Sequence, residues 1–423
     1  MSESNTKYNH ELIEHFFRNE YGKIVSVITR YVGTDNVETA EDIVQETLLK
    51  ATDFWQINGI PENPSAWLYT TAKNLTLNIL KRKQHQTKYI TQIKNSEVNF
   101  VEFENLQISE SEILDDQLKM MFVCCHPSIS ENSQIALILK ILCGFSISEI
   151  ANVFFSTNET INKRLVRGRK QLRNNKLNFE IPENINESVT IVLKTIYLLF
   201  TEGYSPSNKN EIIRYDLCLE AIRLTEIIVT SKSIIEKSDS YALLALMYFN
   251  ASRFNSRKNS DNILIEMEKQ DRTKWDQKLI NKGIHYLNLG LSDNNISVYH
   301  ILAAISANHC IAKSYEQTNW DEILSLYDKL LLIENSPIIR LNRCVALSKV
   351  KGNKTAITAL LYLESNSDIK NHYLFQSTLA EFYKLENNID LAIIHFKKAV
   401  SLTTNIRDKD FFRKKINNLV PIS

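Results

Sequence analysis

The stretch from Ser146 to Arg173 constrains the fold of this chain more than any other, because it holds two helical patterns only a few residues apart. In the first pattern, apolar residues recur at the spacing of one helix face: Ile147, Ile150, Ala151 and Phe154. The second pattern starts with S-x-x-E, from Ser156 to Glu159, which is the signature of a capping box at the start of a helix. We therefore predict two helices that meet at a tight corner.

The second helix of this pair is amphipathic and strongly basic. Ile161, Leu165 and Leu172 fall on one face, and the segment 160–176 contains seven Lys or Arg residues and no acidic residue. A helix of this kind, placed at a corner after a shorter helix, is typical of a helix-turn-helix that lies in the major groove of DNA. A basic amphipathic helix is also typical of a solvated surface, so this stretch alone leaves both interpretations open.

Composition favours the same kind of fold along the whole chain. A length of 423 residues corresponds to two or three domains. With only 9 Gly and 7 Pro, the chain is poorly suited to the turns of a β-sandwich or a barrel, and we predict an all-α protein. The formal net charge of +1 does not indicate a partner, but the clustering of basic residues at 81–83 and after Thr160 does.

The cysteine and apolar patterns predict neither a metal site nor a membrane segment. The six cysteines show no metal or redox spacing, and Cys124-Cys125-His126 lacks a second pair of ligands, so we interpret the cysteines as buried apolar residues. No apolar segment follows a basic one near the start, and runs such as Ile191–Phe200 are too short to span a bilayer. We expect a soluble, cytoplasmic protein without a cofactor.

Residues 10–58 predict two or three helices, of which the one from Val37 to Trp55 is the most informative. Its inward positions are apolar: Ile43, Val44, Leu48 and Ala51. On the other side, Asp42, Gln45 and Glu46 form a polar, acidic patch. Taken alone, such a patch is usually a solvated helix face.

A further helix is predicted after the loop from Gln56 to Glu62. Asn63-Pro64 marks its start, because Pro at the first helical position gives up an N–H that has no partner there. Aromatic and basic residues alternate in this region, as they do on surfaces that bind single-stranded nucleic acid, although aromatic residues at helical spacing more often belong to a core. The polar edge of the helix consists of Lys73, Asn74, Asn78, Lys81 and Arg82.

Three motifs in this part of the chain occur in order. They are A-E-D-x-V-Q-E-T-x-L-x-A at 40–51, N-P-x-A-W-L-Y-x-x-A-x-N at 63–74, and S-E-I-A followed by R-L-x-R-x-R within 148–169. In this order and spacing they resemble regions two and four of bacterial extracytoplasmic-function sigma factors of the sigma-70 family. The resemblance implies two small helical sigma domains: region two at 8–83 and region four, with the helix-turn-helix, at 118–178, joined by an acidic linker at 84–117.

The same resemblance implies partners: core RNA polymerase, contacted at its β′ coiled coil and its β flap, and promoter DNA. The patch of Asp42, Gln45 and Glu46 matches the helix that docks on the β′ coiled coil. The loop at 56–65 and the following helix match the element that captures an unstacked base of the promoter −10 element. The residues implied in −10 binding are Trp67, Lys73, Asn74, Asn78, Lys81 and Arg82.

The helix after Ser156 matches the recognition helix over the promoter −35 element. Its Lys and Arg residues would position it on phosphates, and Asn, Glu and Lys near its start could read base edges. The sequence departs from the family where Asn78 replaces a common Asp, and where Glu159 and Lys163 replace small residues. The residues implied in −35 binding are Asn158, Glu159, Asn162, Lys163, Arg164, Arg167, Arg169 and Lys170.

The linker between the two regions is acidic, so we expect it to have little structure of its own. In the family that the chain resembles, such a linker threads the RNA path of the polymerase, but a solvated tether explains the composition equally well. Its charged residues are Glu97, Glu102, Glu104, Glu110, Glu112, Asp115 and Asp116, against Lys88 and Lys94.

Residues 186–423 predict a C-terminal domain that is helical throughout. Near its end, small and large residues follow the tetratricopeptide pattern of a helix hairpin: Leu379, Ala380, Tyr383, Ala392, Phe396 and Ala399. Ala356 and Leu360 echo this pattern after a predicted helix at Ile338–Val350. With YLLFTEGYS at 197–205 and QDRTKWD at 270–276, the domain resembles the extension of a sigma-factor subgroup with a fused tetratricopeptide-like domain. This implies regulation in cis, with a small ligand or a protein as partner.

We expect no enzymatic activity. Seven charged residues of the C-terminal half could converge as acid–base groups, namely Glu202, Asp216, Glu220, Arg223, Asp271, Arg272 and Asp276. No nucleophile elbow, phosphate-binding glycine loop or metal spacing accompanies them. The hypothesis is therefore a sigma factor controlled by its own extension. Two alternatives stay open: a helix-turn-helix regulator that never joins polymerase, and a tetratricopeptide-like interaction scaffold.

Overall fold

The computed structural model describes residues 2–88, 109–154, 156–175, 177–181, 185–206, 212–259, 263–292, 295–363, 367–403 and 406–419. Over these ranges the chain forms helices joined by turns, with one isolated β-bridge between Lys258 and Leu264. The prediction of an all-α fold is confirmed. The chain divides into two compact units: the first comprises Met1–Leu199 and Leu219–Ile235, and the second comprises Phe200–Cys218 and Glu236–Ser423.

In the described residues before 176, seven helices belong to the first unit. They are α1 (Ser2–Val32), α2 (Val37–Asn58), α3 (Pro64–Lys88), α4 (Glu110–Cys124), α5 (Glu131–Ile141), α6 (Ile147–Val153) and α7 (Asn158–Asn175). The next two, α8 (Ile185–Tyr204) and α9 (Tyr215–Thr230), each contain a boundary between the units.

The core of the first unit follows the apolar periodicity of its helices. Helix α1 packs against α2, α3 and α4, and its Ile24 and Val25 are completely buried. Of the predicted inward positions of α2, Ile43, Val44 and Ala51 are buried. Each such aliphatic side chain contributes roughly 1.5–3 kcal/mol of burial energy, so packing rather than helix propensity holds the bundle together.

A glycine permits the close approach of α1 to the residue that follows α5. A Cβ atom added to Gly22 would lie 1.9 Å from the backbone oxygen of Leu142. No side chain fits that gap, because the obstacle is backbone and cannot rotate away. Gly22 therefore fixes the distance between the part of the chain that resembles region two and the part that resembles region four.

The structure differs from the predicted linker at both ends. Helix α3 continues through Lys88, and α4 begins at Glu110. A capping box starts α4: the Glu112 N–H donates to Ser109 Oγ at 3.3 Å, and the Ser109 N–H donates to Glu112 Oε2 at 2.9 Å. Asp116 is buried in this helix, and burial raises its pKa to about 6. The remainder of the predicted linker, 89–108, lies outside the described residues.

Helices α6 and α7 form the predicted corner, with one difference in capping. Ser146 and Glu149 form a capping box at the start of α6, with N···O distances of 3.2 and 2.8 Å. Helix α7 starts one residue later than predicted, because Thr157 Oγ1 accepts the N–H of Thr160 at 3.2 Å. The predicted box from Ser156 to Glu159 is therefore wrong, since the neighbouring hydroxyl caps the helix.

The helices of the second unit pack in sequence. They are α10 (Ser238–Ala251), α11 (Gln277–Gly290), α12 (Val298–Ile311), α13 (Trp320–Ile333), α14 (Pro337–Lys351), α15 (Asn353–Tyr362), α16 (Ser367–Lys370), α17 (Tyr373–Leu385), α18 (Ile389–Leu402) and α19 (Ile406–Asn417). Neighbours such as α14 and α15, or α17 and α18, pack against each other.

The predicted hairpin positions of the second unit lie in its core. The predicted helix at Ile338–Val350 is confirmed as α14. Tyr383 is partly buried and packs against the same core. The other positions of the tetratricopeptide pattern are all buried: Ala356, Leu360, Leu379, Ala380, Ala392, Phe396 and Ala399. These helix pairs agree with the predicted spacing, and their assignment to the tetratricopeptide class stays a prediction.

Candidate nucleic-acid interface

Helix α2 presents its predicted polar residues on one exposed face. Asp42, Gln45 and Glu46 are all solvent-exposed and lie at i, i+3 and i+4, which places them side by side. Leu49 continues this face with 62% of its surface exposed, which is unusual for a leucine in a packed helix. We call these four residues the α2 patch.

A surface ion pair occupies part of the α2 patch. Lys50 Nζ lies 2.9 Å from Glu46 Oε1, and both side chains are about half exposed. Exposed pairs of this kind contribute under about 1 kcal/mol, so a partner could replace the lysine at little cost. The α2 patch is therefore a carboxylate surface with an apolar edge, open to a partner.

An apolar cleft opens where α2 ends and α3 begins. The rings of Phe54 and Trp67 stack with centroids 5.6 Å apart and planes at 25°. Ile57 is largely exposed beside them. The cleft has a volume of about 410 Å³ and is lined by Lys50, Asp53, Phe54, Ile57, Asn58, Trp67 and Thr71. We call it the aromatic cleft.

Most of the residues predicted to bind the −10 element line one face of α3. Asn74 follows Trp67 by two helical turns, and Asn78, Lys81 and Arg82 continue at helical spacing. All four of these polar residues are exposed. Lys73 is half-buried and points away from this row by about 100°, the angle between neighbouring helical residues. The aromatic cleft thus stands at one end of a polar and basic strip.

Six of the eight residues predicted to bind the −35 element are exposed on α7: Asn158, Glu159, Asn162, Lys163, Arg167 and Lys170. On the opposite face of α7, the side chains of Ile161, Leu165 and Leu172 are buried, as predicted. Lys163 Nζ donates to Glu159 Oε1 at 2.7 Å on the exposed face. The structure therefore gives α7 a solvent-facing basic surface of the required length.

The other two predicted −35 residues make contacts within the protein. The guanidinium of Arg164 lies 4.8 Å from the centre of the Phe154 ring. Arg169 Nη2 donates to both carboxylate oxygens of Glu41, at 2.9 and 2.7 Å. Neither residue lies on the exposed face of α7, because each satisfies a neighbour in the first unit. Their predicted contact with DNA stays a prediction.

The partner of Arg169 is a buried acid that sequence reasoning left without a role. Burial raises the pKa of Glu41, and the charge of Arg169 opposes that shift. The Tyr21 hydroxyl donates to Glu41 Oε1 at 3.4 Å. A signal was present in the sequence, since Glu41 lies on the inward face of α2 between Val37 and Val44. An acid at such a position requires a buried partner.

Two further contacts hold the end of α7 against the start of α2. Arg173 forms an ion pair with Glu38. Thr34 Oγ1 donates to the backbone oxygen of Leu177 at 2.5 Å. Sequence reasoning missed Glu38 and Thr34, because their partners lie more than 130 residues away along the chain.

Five of the seven charged residues of the C-terminal half that could have formed an acid–base centre contact other groups of the described chain. Arg223 forms an ion pair with Glu220 at 2.6 Å in the first unit. Asp271 and Asp276 accept backbone N–H groups at the starts of two helices. Arg272 donates to the backbone oxygen of His309 at 2.6 Å. These contacts account for the residues as structural groups.

The cysteines behave as predicted where the structure describes them. All six are buried, and burial raises the pKa of Cys124, Cys125 and Cys143. Among the described residues, no group of three or more His, Cys, Asp or Glu side chains could hold a metal ion. Within the same residues, no helix has the length and apolarity needed to cross a bilayer.

Comparison with known families identifies two segments of the chain. Residues 16–86 match the family described as sigma-70 region 2. This segment of the chain is similar to sigma-70 region 2. Residues 189–290 match a family of unknown function, DUF6596. The predicted tetratricopeptide-like extension is not confirmed, since the matched segment of the extension is similar to this other family.

Curated relatives fall into two groups. An uncharacterized protein of Rhizobium meliloti (strain 1021) is 29% identical over 91% of this chain and 90% of its own length. The ECF RNA polymerase sigma-E factors of Escherichia coli (strain K12) and Salmonella typhimurium (strain LT2) are 27% identical over 36% of this chain and 80% of theirs. No solved structure matches. Part of the chain is therefore similar to sigma factors, and nearly all of it is similar to a protein of unknown role.

Proposed function

We propose that this protein is a sigma factor that binds core RNA polymerase and directs it to specific promoters. The observation that carries the proposal is the exposed α2 patch within the segment that matches sigma-70 region 2. A regulator that acts on DNA alone has no use for this surface, and neither has an interaction scaffold built on the C-terminal helices.

The α2 patch supplies the contact with polymerase. Asp42 and Glu46 offer carboxylates to a basic surface, and the exposed Leu49 offers apolar area beside them. Interfaces of this composition gain specificity and association rate from charge and affinity from the apolar contact. The β′ coiled coil of the polymerase is the partner that the family resemblance implies for this helix.

The aromatic cleft and the α3 strip supply the contact with the −10 element. A base removed from the duplex stack costs a few kcal/mol. Stacking on an aromatic side chain returns about 1–3 kcal/mol per base. Trp67 and Phe54 offer such rings, while Lys81 and Arg82 offer charge to the backbone of the melted strand.

Helix α7 supplies the contact with the −35 element. Arg167 and Lys170 are placed to bind phosphates, and Asn158 and Asn162 lie nearer the start of the helix, where side chains reach base edges. Arg169 would contact DNA only after leaving Glu41. Region four, of which α7 is part in this proposal, would also meet the β flap.

The C-terminal helices control this activity in cis, through a small ligand or a protein, and contribute no catalytic group. The polymerase performs the chemistry.

Run-off transcription with core polymerase and a promoter library tests the proposal. The full-length chain should produce transcripts from a subset of promoters, and core polymerase alone should not. A pull-down with core polymerase separates the alternatives: a DNA-binding regulator or a scaffold would not be retained. Absence of both retention and promoter-specific transcripts, with the full chain and with a chain ending at Arg173, would overturn the proposal.

A further inference from the structure

Three arginines of the second unit alternate with two aromatic rings. The guanidinium of Arg257 lies 3.5 Å from the ring centre of Tyr204. That of Arg253 lies 6.0 Å from the Tyr204 ring and 5.7 Å from the Trp275 ring, and that of Arg272 lies 4.7 Å from the Trp275 ring. We call Arg253, Arg257 and Arg272 the arginine cluster.

Two members of the arginine cluster are buried, and none of the three forms an ion pair with an acid of the described residues. Arg253 and Arg257 are only 7% and 9% exposed. Their hydrogen-bond acceptors are neutral: Arg253 donates to the Tyr204 hydroxyl and to Asn250 Oδ1, and Arg257 donates to the Tyr204 backbone oxygen. Burial lowers the pKa of Arg257, and the charge of Arg253 lowers it further. Buried charges are normally paired, as Arg223 and Glu220 are in this chain.

Acids on neighbouring elements of the described chain include Asp216, Asp271 and Glu316. Asp216 pairs with Arg214 at 3.1 Å, and Asp271 accepts the Thr273 N–H. Glu316 is exposed; its charge raises the pKa of Arg272, which burial lowers, but it forms no ion pair with that arginine. Among the described residues, aromatic faces and neutral oxygen acceptors are therefore the direct contacts of these guanidinium groups, and cation–π contacts compensate a desolvated charge only in part.

Two further polar atoms next to the arginine cluster lack a partner among the described residues. They are Trp275 Nε1 and His309 Nδ1. Trp275 is 3% exposed, and its indole N–H can only donate. Burial lowers the pKa of His309 to about 4, with Arg253 and Arg272 adding to the shift, so the ring is neutral at neutral pH and can present an N–H.

The Arg257 guanidinium also has donors to spare. Its Nη1 donates to the Tyr204 backbone oxygen at 2.6 Å, and within the described part of the chain no hydrogen bond from its Nε or Nη2 is found. Unsatisfied buried donors cost free energy, and a cluster of them around unpaired positive charge marks a place for a missing acceptor. One anion with several oxygens would satisfy the indole N–H and two guanidinium forks together.

We propose that the arginine cluster, with Trp275 and His309, binds a small anion that carries phosphate or carboxylate groups. The burial of Arg253 and Trp275 excludes nucleic acid duplex as the ligand, because its phosphates cannot reach side chains with so little exposed surface. Four of these five residues lie in the segment 189–290 that matches the family of unknown function. The site is independent of the proposed promoter contacts, and it would give the extension a chemical signal to respond to.

The test measures anion binding by the full-length chain. Its unfolding temperature is followed while inorganic phosphate or citrate replaces chloride at constant ionic strength. We expect a saturable rise of a few degrees, roughly 2–4 °C for units of this size. Calorimetry should give one site per chain, and comparison of the two anions assigns the site to phosphate or to carboxylate. No shift with either anion would overturn the proposal.

Variants locate the effect. Arg257→Gln removes one guanidinium group and should weaken anion binding at least about 10-fold. Arg257→Lys keeps the charge but not the two parallel N–H donors, so its anion affinity should lie between those of the parent and of Arg257→Gln. Trp275→Phe removes only the unpartnered donor and should weaken binding by about 5–10-fold. Arg413→Gln, an exposed arginine on α19, serves as the control and should bind as the parent does.

The unliganded variants provide a second readout. If the arginine cluster is an empty anion site, Arg257→Gln should unfold at or above the parent temperature without anion, because an unpaired buried charge is lost. If Arg257→Gln fails to fold, the anion response of Trp275→Phe tests whether the cluster binds an anion. Equal anion responses in the parent, Trp275→Phe and Arg413→Gln would mean that the cluster is purely structural, whatever the outcome of the polymerase experiments.

Discussion

Arg169 of α7 and Glu41 of α2 form an ion pair that joins the helix proposed to read DNA to the helix proposed to dock on polymerase. Arg169 Nη2 lies 2.9 and 2.7 Å from the two carboxylate oxygens of Glu41, and Glu41 is 3% exposed. Removing one partner of a buried pair leaves the other charge uncompensated, at a cost of about 3–5 kcal/mol. This single contact therefore couples the stability of the first unit to the position of α7.

Arg169→Ala should lower the free energy of unfolding of the first unit by about 3 kcal/mol at pH 7. Urea unfolding of the full-length chain measures this loss. As a matched control, Arg173→Ala breaks the exposed pair with Glu38 and should cost under about 1 kcal/mol. The double variant Glu41→Gln, Arg169→Met should recover part of the loss, because no unpaired charge stays buried. Equal losses in the free energy of unfolding for Arg169→Ala and Arg173→Ala would show that the buried ion pair stabilises the first unit no more than the exposed one.

The same variant should have a distinctive pH dependence. Burial raises the pKa of Glu41 above its ordinary value of 4.5, so the carboxylate is less stable in the folded chain than in the unfolded one, and its penalty grows as pH rises above that value. Arg169→Ala removes the charge that opposes this shift and raises the pKa of Glu41 further. The stability difference between Arg169→Ala and the parent should therefore shrink on acidification from pH 7 to pH 5. If this stability difference instead grows on acidification, the titration of Glu41 does not cause the pH dependence.

The buried and exposed faces of the helices could be predicted from sequence, but the ion pairs between side chains of different helices could not. Periodicity correctly placed Ile161, Leu165 and Leu172 inward, because each apolar position is fixed by its neighbours three and four residues away. The partner of Arg169 lies 128 residues away, and nothing local selects it. Arg169 was therefore assigned to DNA along with the other basic residues of its helix.

Capping and linker boundaries were missed for a different reason. Ser156 and Thr157 can both cap α7, and only the path of the chain decides between two adjacent hydroxyls. The acidic residues before Gln117 resembled a solvated linker by composition, yet Ser109 and Glu112 form the capping signal that starts α4. The arginine cluster was beyond sequence reasoning, since it and the neighbouring Tyr204, Trp275 and His309 come from four separate segments that only the packing of the second unit brings together.

Gly22→Ala should destabilise the first unit by about 1–3 kcal/mol. The new Cβ would lie 1.9 Å from the Leu142 backbone oxygen, so α1 must move away from the residues after α5. Gly168→Ala is the matched control: its Cβ would meet the side chain of Leu137 at 2.8 Å, which can rotate, and alanine favours the helix. Thermal unfolding of both variants measures their loss of stability. A larger loss in Gly168→Ala than in Gly22→Ala would contradict the importance of the contact between Gly22 and Leu142.

Reversal of charge on the α2 patch should abolish retention by core polymerase without unfolding the chain. Asp42→Arg combined with Glu46→Arg replaces two exposed carboxylates, so the unfolding temperature should stay within a few degrees of the parent. The control combines Glu236→Arg and Glu334→Arg, two exposed acids of the second unit, and should bind polymerase normally. Full retention of the Asp42 and Glu46 variant would mean that the docking surface lies elsewhere.

Two arginines of α7 should contribute differently to promoter binding. Arg167 is exposed, whereas the guanidinium of Arg164 lies against Phe154, so only the first is free to bind a phosphate. Arg167→Ala should lower promoter affinity of the polymerase complex across sequences and reduce the slope of log affinity against log salt by about 0.9. Arg164→Ala should leave that slope unchanged and instead lower the unfolding temperature, because a contact between α7 and the residue after α6 is lost. Equal changes in slope for the two variants would show that Arg164 leaves Phe154 on DNA, and no change in either would remove α7 from the promoter interface.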